Sequence, residues 1–275
     1  MKKKIAIIGS GIGGLTAANL FIKNSDFEII VYEKEEILSL DQGYGIQLAT
    51  NSISILNKIG FKNIDNNNIF NPLKLNFYSN NNKICDLDLE RFNKDSVKYT
   101  TLQRSTLIEF LKDKLFTNNF RFGKEVRKVS KIKDKLLINF VDNTNDLVDF
   151  IIVSDGVFSN TKSIIENKTI KPRYNGSVAI RTVVKLSEEF NYDSKNISLI
   201  MFPNAHAVIY PINKRNDFNL VCIAREKLSQ NYDIHSIIKK KILSKNKNLE
   251  NLFKADLNLW PVYVTKKPIK SIHEN

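Results

Sequence analysis

Cysteine, histidine and long apolar runs are scarce in this sequence, and each scarcity removes a class of protein. Two cysteines in 275 residues, Cys85 and Cys222, cannot build a disulfide framework; both fall in apolar, strand-like segments, which predicts reduced core thiols in a cytoplasmic protein. His206, His235 and His273 are scattered, no metal-ligand spacing appears, and no metal is expected. No apolar run approaches the ~18 residues that a spanning helix needs, which leaves only peripheral membrane contact open. What is present is a hydrophobic content of 42%, enough for one large domain or two intergrown ones. The excess of 42 Lys+Arg over 29 Asp+Glu gives a net charge of +13, which attracts anionic partners. The lysines are spread along the chain without interleaved aromatics, so no nucleic-acid partner is expected.

The most informative stretch is the first. Ile5-Ala6-Ile7-Ile8 reads as a short buried strand, Gly9-Ser10-Gly11-Ile12-Gly13-Gly14 as a G-x-G-x-x-G turn, and Leu15 to Ile22 as the opening of a helix. A second strand, Phe27 to Tyr32, ends on Glu33, about 20 residues past the glycines, where a dinucleotide fold places an acid. In that arrangement Gly9 permits the tight turn, Gly11 lets backbone N–H groups approach a pyrophosphate, and Gly14 lets helix and strand pack closely. The helix N-terminus offers partial positive charge to the phosphates, and Glu33 would accept the ribose hydroxyls. Met1-Lys2-Lys3-Lys4 before an apolar run also has the form of a secretory signal, but the glycines interrupt it and the pattern continues into a second strand. An adenine dinucleotide is therefore expected, with FAD and NAD both open.

Beyond Glu33 the chain alternates between elements of both kinds. Gln42 to Asn51 reads as a loop and short strand before a helix carrying Ile53, Leu56 and Ile59 and stopping at Gly60, with Asn51 as N-cap or as a residue at the cofactor's edge. Leu73–Tyr78 and Lys83–Leu89 form an expected hairpin. Thr106 and Glu109 read as a capping box that starts a helix just after Arg104. A cation at a helix N-terminus opposes the helix dipole, so local energetics do not account for Arg104 and a phosphate or acid nearby would. Strand-like runs at Glu125–Ile132, Lys135–Val141 and Asp149–Val153 follow, with a turn over Asp142–Asp146. The third is uniformly apolar, as a central strand would be, and it breaks at Ser154-Asp155-Gly156; Asp155 thus sits past the carboxyl end of a core strand, where open α/β sheets bind ligands.

From Lys171 the texture becomes that of an antiparallel sheet, with strands at Ser177–Leu186, Asn196–Phe202, Ala205–Ile212 and Phe218–Arg225. His206, Val208 and Tyr210 share one face, and Arg181 is a charge inside an otherwise apolar strand, facing a polar ligand or solvent. Ile234 to Phe253 reads as one basic amphipathic helix, and Leu257 to Val264 as a last strand containing Trp260.

Together, Gly9 to Gly14 with Glu33, the Gly43 to Asn51 stretch, Leu102-Gln103-Arg104 and Ser154-Asp155-Gly156-Val157-Phe158-Ser159 resemble the FAD-dependent aromatic hydroxylases, the class A flavoprotein monooxygenases. The resemblance implies an α/β fold, a Rossmann-like FAD-binding domain (1–71 and 97–168) with an intergrown antiparallel-sheet substrate domain (72–96 and 169–265) and a tail, 266–275. It implies FAD as cofactor, NAD(P)H as electron donor, dioxygen as oxidant and a small aromatic or quinone-like substrate. By position, Gly9, Gly11, Gly13, Gly14 and Glu33, with the neighbouring Lys34, would hold the ADP half of FAD. Arg104 would approach the pyrophosphate and flavin side, Asp155 and Gly156 would support the cofactor, and Asn51 would lie at its edge. Gln47, Arg181, His206 and Tyr210 are the substrate-pocket candidates. A halogenase of the same fold would carry a W-x-W-x-I segment, which the sole Trp260 cannot supply. The family's later Gly-Asp strand, which contacts the FAD ribityl chain, is expected just after Asn275; the chain is therefore expected to be C-terminally truncated, with a non-catalytic FAD- or nucleotide-binding remnant as the alternative to a monooxygenase.

Overall fold

The structure, a computed structural model, describes residues 2–38, 44–186 and 192–265. The first half contributes β1 (Lys3–Ile8), β2 (Phe27–Tyr32), β3 (Gly45–Leu48), β4 (Ile69–Phe70), β5 (Lys74–Ser79), β6 (Asn82–Asp88) and β7 (Thr100–Gln103). The second contributes β8 (Phe120–Arg121), β9 (Val126–Ile132), β10 (Lys135–Phe140), β11 (Asn145–Val148), β12 (Phe150–Val153), β13 (Arg173–Lys185), β14 (Ile197–Phe202), β15 (Ala205–Pro211), β16 (Asp217–Arg225) and β17 (Asn258–Val264). The α-helices are α1 (Ile12–Phe21), α2 (Thr50–Asn57), α3 (Arg104–Lys112), α4 (Thr161–Ile165) and α5 (Ile234–Ile238). Among the described residues no helix is long and apolar enough to cross a membrane.

Two compact units divide the chain: Met1–Asp41, Leu107–Arg173 and Tyr263–Asn275 form one, Gln42–Thr106 and Tyr174–Val262 the other. Residues 42–71 and 97–106, grouped above with the FAD-binding portion, fall in the second unit. The 266–275 tail, and Gln42 and Gly43 of the loop after Glu33, lie outside the described residues.

In the first unit the apolar runs pair in parallel, in the order β12-β1-β2-β8, with Ile5 opposite both Phe150 and Ile29. Burial on both faces explains why the end of β1 is uninterruptedly apolar. β12 is not central as its sequence implied: among the described residues it is the sheet's edge, and Phe150 is 42% exposed. The helix α1 starts at Ile12, earlier than the expected Leu15, because the Gly11 carbonyl already accepts the Leu15 N–H at 2.9 Å; the glycines form the first helical turn. Asn19 is buried in α1 and donates to the carbonyls of Leu15 and Leu111, each at 2.8 Å, which ties α1 to α3. The antiparallel sheet β9-β10-β11 packs Val126, Ile138, Phe140 and Val148 against Ala6, Ile8, Ile30 and Tyr32. The turn expected over Asp142–Asp146 is shorter, since Asn145 and Asp146 already pair in β11.

Beside that packing lies a hydrogen-bonded trio. The Tyr32 ring stacks on Phe140 at 4.9 Å and its hydroxyl donates to Asp146, whose carboxylate lies 2.7 Å from Lys4 Nζ. Burial opposes ionisation of Asp146, but the bonds from Lys4 and Tyr32 outweigh it and hold the carboxyl below its ordinary value; burial and the Asp146 bond push the Tyr32 phenol up. A carboxyl held low in the folded state stabilises the fold above its unfolded pKa of about 3.9 and loses that contribution as pH falls through the folded value. Asp146→Asn is expected to lower the free energy of urea unfolding by about 1–3 kcal/mol at neutral pH. The deficit should shrink as pH drops below about 4; one that is constant across that range would contradict the assignment.

In the second unit the large sheet runs β17-β13-β16-β15-β14-β5-β6. The pairs β13–β16, β16–β15, β15–β14 and β5–β6 are antiparallel, whereas β14 runs parallel to β5, so the 74–88 hairpin is part of this sheet. One face carries the core: Ile180, Leu220, Cys222 and Ile209 pack under Ile237, Ile238 and Ile242. Cys222 is buried as expected, but Cys85 is exposed, because β6 is an edge strand with little covering it. The expected single helix over 234–253 is three pieces: α5, a π-helical turn at Lys239–Leu243 and a 3-10 helix at Lys247–Phe253. The break serves Asn246, which is buried and donates to Asn81 Oδ1 at 2.6 Å and the Tyr192 hydroxyl at 2.8 Å while accepting the Asn248 N–H. A short sheet, β3-β7-β4, completes this unit.

Candidate functional site

The glycines of the first turn divide into two kinds. Gly9 has φ +101°, and a Cβ there would lie 2.7 Å from the Ser154 carbonyl oxygen; a Cβ on Gly14 would lie 2.0 Å from the Gly9 oxygen. Those two hold the turn, the helix and the β12 exit together by backbone contact. Among the described residues, a Cβ at Gly11 would meet nothing within 4 Å, and one at Gly13 only Ser154 Cβ at 4.0 Å. The open side of the turn is thus at the start of α1, which has no acidic residue in its first turn to offset its dipole. The positive end of the α1 dipole faces that open side, a polarity that favours an anion.

Glu33 follows β2 and faces the same turn. Its Oε2 accepts the Ser10 N–H at 2.9 Å and the Ser10 hydroxyl at 2.6 Å, and its Oε1 accepts the Glu35 N–H at 3.1 Å. Burial works against the charge, but the Ser10 bonds prevail and hold the carboxyl below its ordinary value, so it is an ionised acceptor at neutral pH. Lys34 is exposed and ion-paired with Glu35 at 3.4 Å. Asp155 follows β12, and among the described residues its buried Oδ1 has no hydrogen-bond partner; Gly156 next to it has φ +84°. A buried acceptor with no donor is costly unless a ligand supplies one. An open glycine turn, an ionised acid beside it and an orphaned acceptor are a donor–acceptor set that fits a dinucleotide such as FAD.

On the second unit, Arg104 is the first residue of α3, its N–H donating to the Tyr44 carbonyl at 2.9 Å, so the helix does not begin with a Thr106/Glu109 capping box. Pairing in β7 runs straight into the helix and leaves no room for a separate cap. The Arg104 guanidinium is half-buried, burial lowers its pKa, and among the described residues no carboxylate pairs with it. Asn51 is not the N-cap of α2, which is Ala49; it lies inside the first turn, exposed, with Oδ1 accepting the Ser52 N–H.

The substrate-pocket candidates do converge within the second unit. Arg181 stands opposite Val221, and Val221 opposite Val208, so Arg181, His206, Val208 and Tyr210 share the sheet face that the helices do not cover. Gln47 Oε1 accepts the Tyr99 hydroxyl at 2.8 Å, and its side chain also bonds Tyr210, making a chain Tyr99–Gln47–Tyr210. Burial pushes the Tyr210 phenol up, opposed by the nearby Arg181 charge, and burial pushes His206 down, so both are neutral at neutral pH. Asn219 adjoins them: buried opposite Tyr210, it accepts the Gly45 N–H at 2.7 Å, and a Cβ on Gly45 would lie 2.4 Å from it. Ser10, Tyr99 and Asn219 are absent from the sequence-based candidates. Ser10 is legible in retrospect as the one hydroxyl inside the glycine turn; Tyr99 and Asn219 act through long-range pairing that leaves no local signal.

Residues 7–42 match the family of NAD(P)-binding Rossmann-like domains. Over 219 residues the chain is 25% identical to the 3-amino-4-hydroxybenzoate 2-monooxygenase PtmB3 of Streptomyces platensis, covering 77% of this chain and 54% of that protein. Over 189 residues it is 26% identical to the 6-hydroxynicotinate 3-monooxygenase of Pseudomonas fluorescens, covering 67% and 48%. The chain is a homologue of the FAD-dependent aromatic monooxygenases. Its fold is that of an FAD-bound protein: the crystal structure of Klebsiella pneumoniae HpxO complexed with FAD and uric acid superposes with a TM-score of 0.85 at 18% identity, over 98% of this chain and 71% of that one. The chain spans about half the length of the curated monooxygenases it matches. Its parallel sheet with the glycine turn is their Rossmann-like core, and its antiparallel sheets are separate from it.

Proposed function

We propose that the Gly9–Gly14 turn, Glu33 and Asp155 bind FAD, and that the chain takes part in hydroxylating a small aromatic or quinone-like ring with NAD(P)H and dioxygen. The observation that carries the proposal is the open space at Gly11 beside an ionised Glu33, with Asp155 Oδ1 left unpaired. When bound, FAD would supply the redox chemistry. The chain's own part is to hold and orient: backbone N–H groups at the start of α1 toward the pyrophosphate, Glu33 toward the ribose, and Asp155 toward a hydroxyl donor. The large-sheet face with the half-buried Arg181 and His206 is the proposed substrate side, with the buried Tyr210 and, from the short sheet, Gln47 beside it.

The test is to mix the chain with FAD and NAD(P)H and to add salicylate or 6-hydroxynicotinate while following bound-flavin absorbance and nicotinamide oxidation. Bound flavin with oxidation that rises on adding an aromatic compound is expected. Bound flavin without stimulated oxidation would favour the second reading, a non-catalytic FAD-binding chain. Absence of bound flavin would overturn both.

A further inference from the structure

We infer that Arg181 selects an anionic ring: the ligand of the sheet face that the helices do not cover carries a carboxylate or phenolate oxygen that pairs with this guanidinium, which sets such compounds apart from neutral quinones. The inference rests on the substrate side proposed above.

Arg181 sits midway along the β13–β16 pairing, which runs from Ser177 to Lys185, so its backbone is held on both sides. Its side chain is half-buried, and among the described residues no carboxylate pairs with it and no acceptor takes a hydrogen bond from its guanidinium. The neighbours on its face offer none: Val221 stands opposite, Ala179 and Val183 lie before and after it on the strand, and Val208 is one strand further on. β17, on the other side of β13, contains no acidic residue. Asp217, at the end of β16, is engaged by Lys185 at 3.7 Å. His206 and Tyr210 are neutral and supply no counter-charge. A guanidinium does not deprotonate in proteins, so Arg181 is a fixed cation among aliphatic side chains, and its lost hydration is offset only when an anion or several acceptors face it. Two strand spacings, about 10 Å, separate Arg181 from Val208, with His206 and Tyr210 on either side of Val208. One substituted ring fits that span with its oxyanion toward Arg181 and its far edge toward His206 and Tyr210. A neutral quinone in the same place would leave the cation desolvated with only uncharged carbonyls as acceptors, which are weaker partners than an ionised oxygen.

The experiment measures binding of benzoate and its neutral isostere benzamide, of 4-nitrophenolate and its neutral isostere 4-nitroanisole, and of acetate. It uses calorimetry on the full chain with FAD present, in the wild type, Arg181→Met and Arg181→Lys, with thermal melts as a folding control. In the wild type at least one ring anion is expected to bind about tenfold or more tightly than its isostere, since hydrogen bonds to a charged group contribute on that order. That preference should shrink as salt is raised. A preference for benzoate identifies a carboxylate, and one for 4-nitrophenolate a phenolate. Acetate should bind at least about tenfold more weakly than the preferred ring anion, because burial of the ring is part of the site. Arg181→Met should bring that anion to within about twofold of its isostere, and Arg181→Lys, which keeps the charge but not the planar fork, should retain part of the preference. A merely structural role for Arg181 would weaken anions and isosteres alike. Equal binding of each anion and its isostere in the wild type, a preference that survives Arg181→Met, or acetate binding as tightly as the ring anion would overturn the inference while leaving the substrate side intact. A wild type that binds none of the four rings would overturn the substrate side and the inference together.

Discussion

Gly14→Ala is expected to destabilise the first unit by about 3 kcal/mol or more, an effect large enough to leave much of the protein unfolded or aggregated on expression. The added methyl would sit 2.0 Å from the Gly9 carbonyl oxygen and 2.6 Å from Ser154 Oγ. The first obstacle is backbone, fixed by the Gly9 N–H bond to the Tyr32 carbonyl at 2.8 Å and by the Ser154 N–H bond to Ile8 at 2.8 Å, so it cannot rotate aside as a flexible side chain would. Relief requires α1 to move off β1, which uncovers Leu15 and Ala18, both fully buried. Chemical denaturation of Gly14→Ala beside the wild type checks this. A midpoint equal to that of the wild type would show that the helix is less tightly seated than these contacts require.

Gly11→Ala should do the opposite. Its Cβ would meet nothing within 4 Å, and its backbone, at φ −70° and ψ 178°, is one that alanine adopts without strain. As the N-cap of α1 the substitution costs at most about 1 kcal/mol of stability. The methyl would nevertheless occupy the space that a pyrophosphate needs, so FAD or ADP affinity is expected to fall by about a hundredfold or more in a protein that still folds. The two variants separate the structural from the ligand-binding glycines of one motif. Equal nucleotide affinity in Gly11→Ala and the wild type would mean that phosphate does not sit on this turn.

Much of this was legible in the sequence where local chemistry decides the structure. The run from Ile5 to Glu33 gave strand, turn, helix, strand and acid in order, and β2 has the boundaries its apolar pattern implies. Reading failed where a distant partner decides. β12 is as apolar as a central strand, yet among the described residues it has a neighbour on one side only. Arg104 begins its helix directly because β7 pairs with β3 up to Gln103, a pairing across more than fifty residues of chain that overrides the nearby Thr and Glu. The 234–253 segment has the composition of a helix, but the buried bonds of Asn246 to Asn81 and Tyr192 break it. The face shared by His206, Val208 and Tyr210 followed from strand alternation, while Arg181's place on it and the Tyr99–Gln47–Tyr210 chain required the fold to bring distant strands together. At Glu33 the type and position of the residue were evident, but its prior engagement by Ser10 was not.

The most direct measurement of the central claim is a fluorescence titration of the full chain with FAD and, separately, with FMN, followed by competition with ADP. If, as proposed, the glycine turn and Glu33 address the ADP half of the cofactor, FAD should bind, ADP should displace it, and FMN, which lacks that half, should bind at least about a hundredfold more weakly. Comparable binding of FAD and FMN, or FAD that ADP cannot displace, would contradict the account.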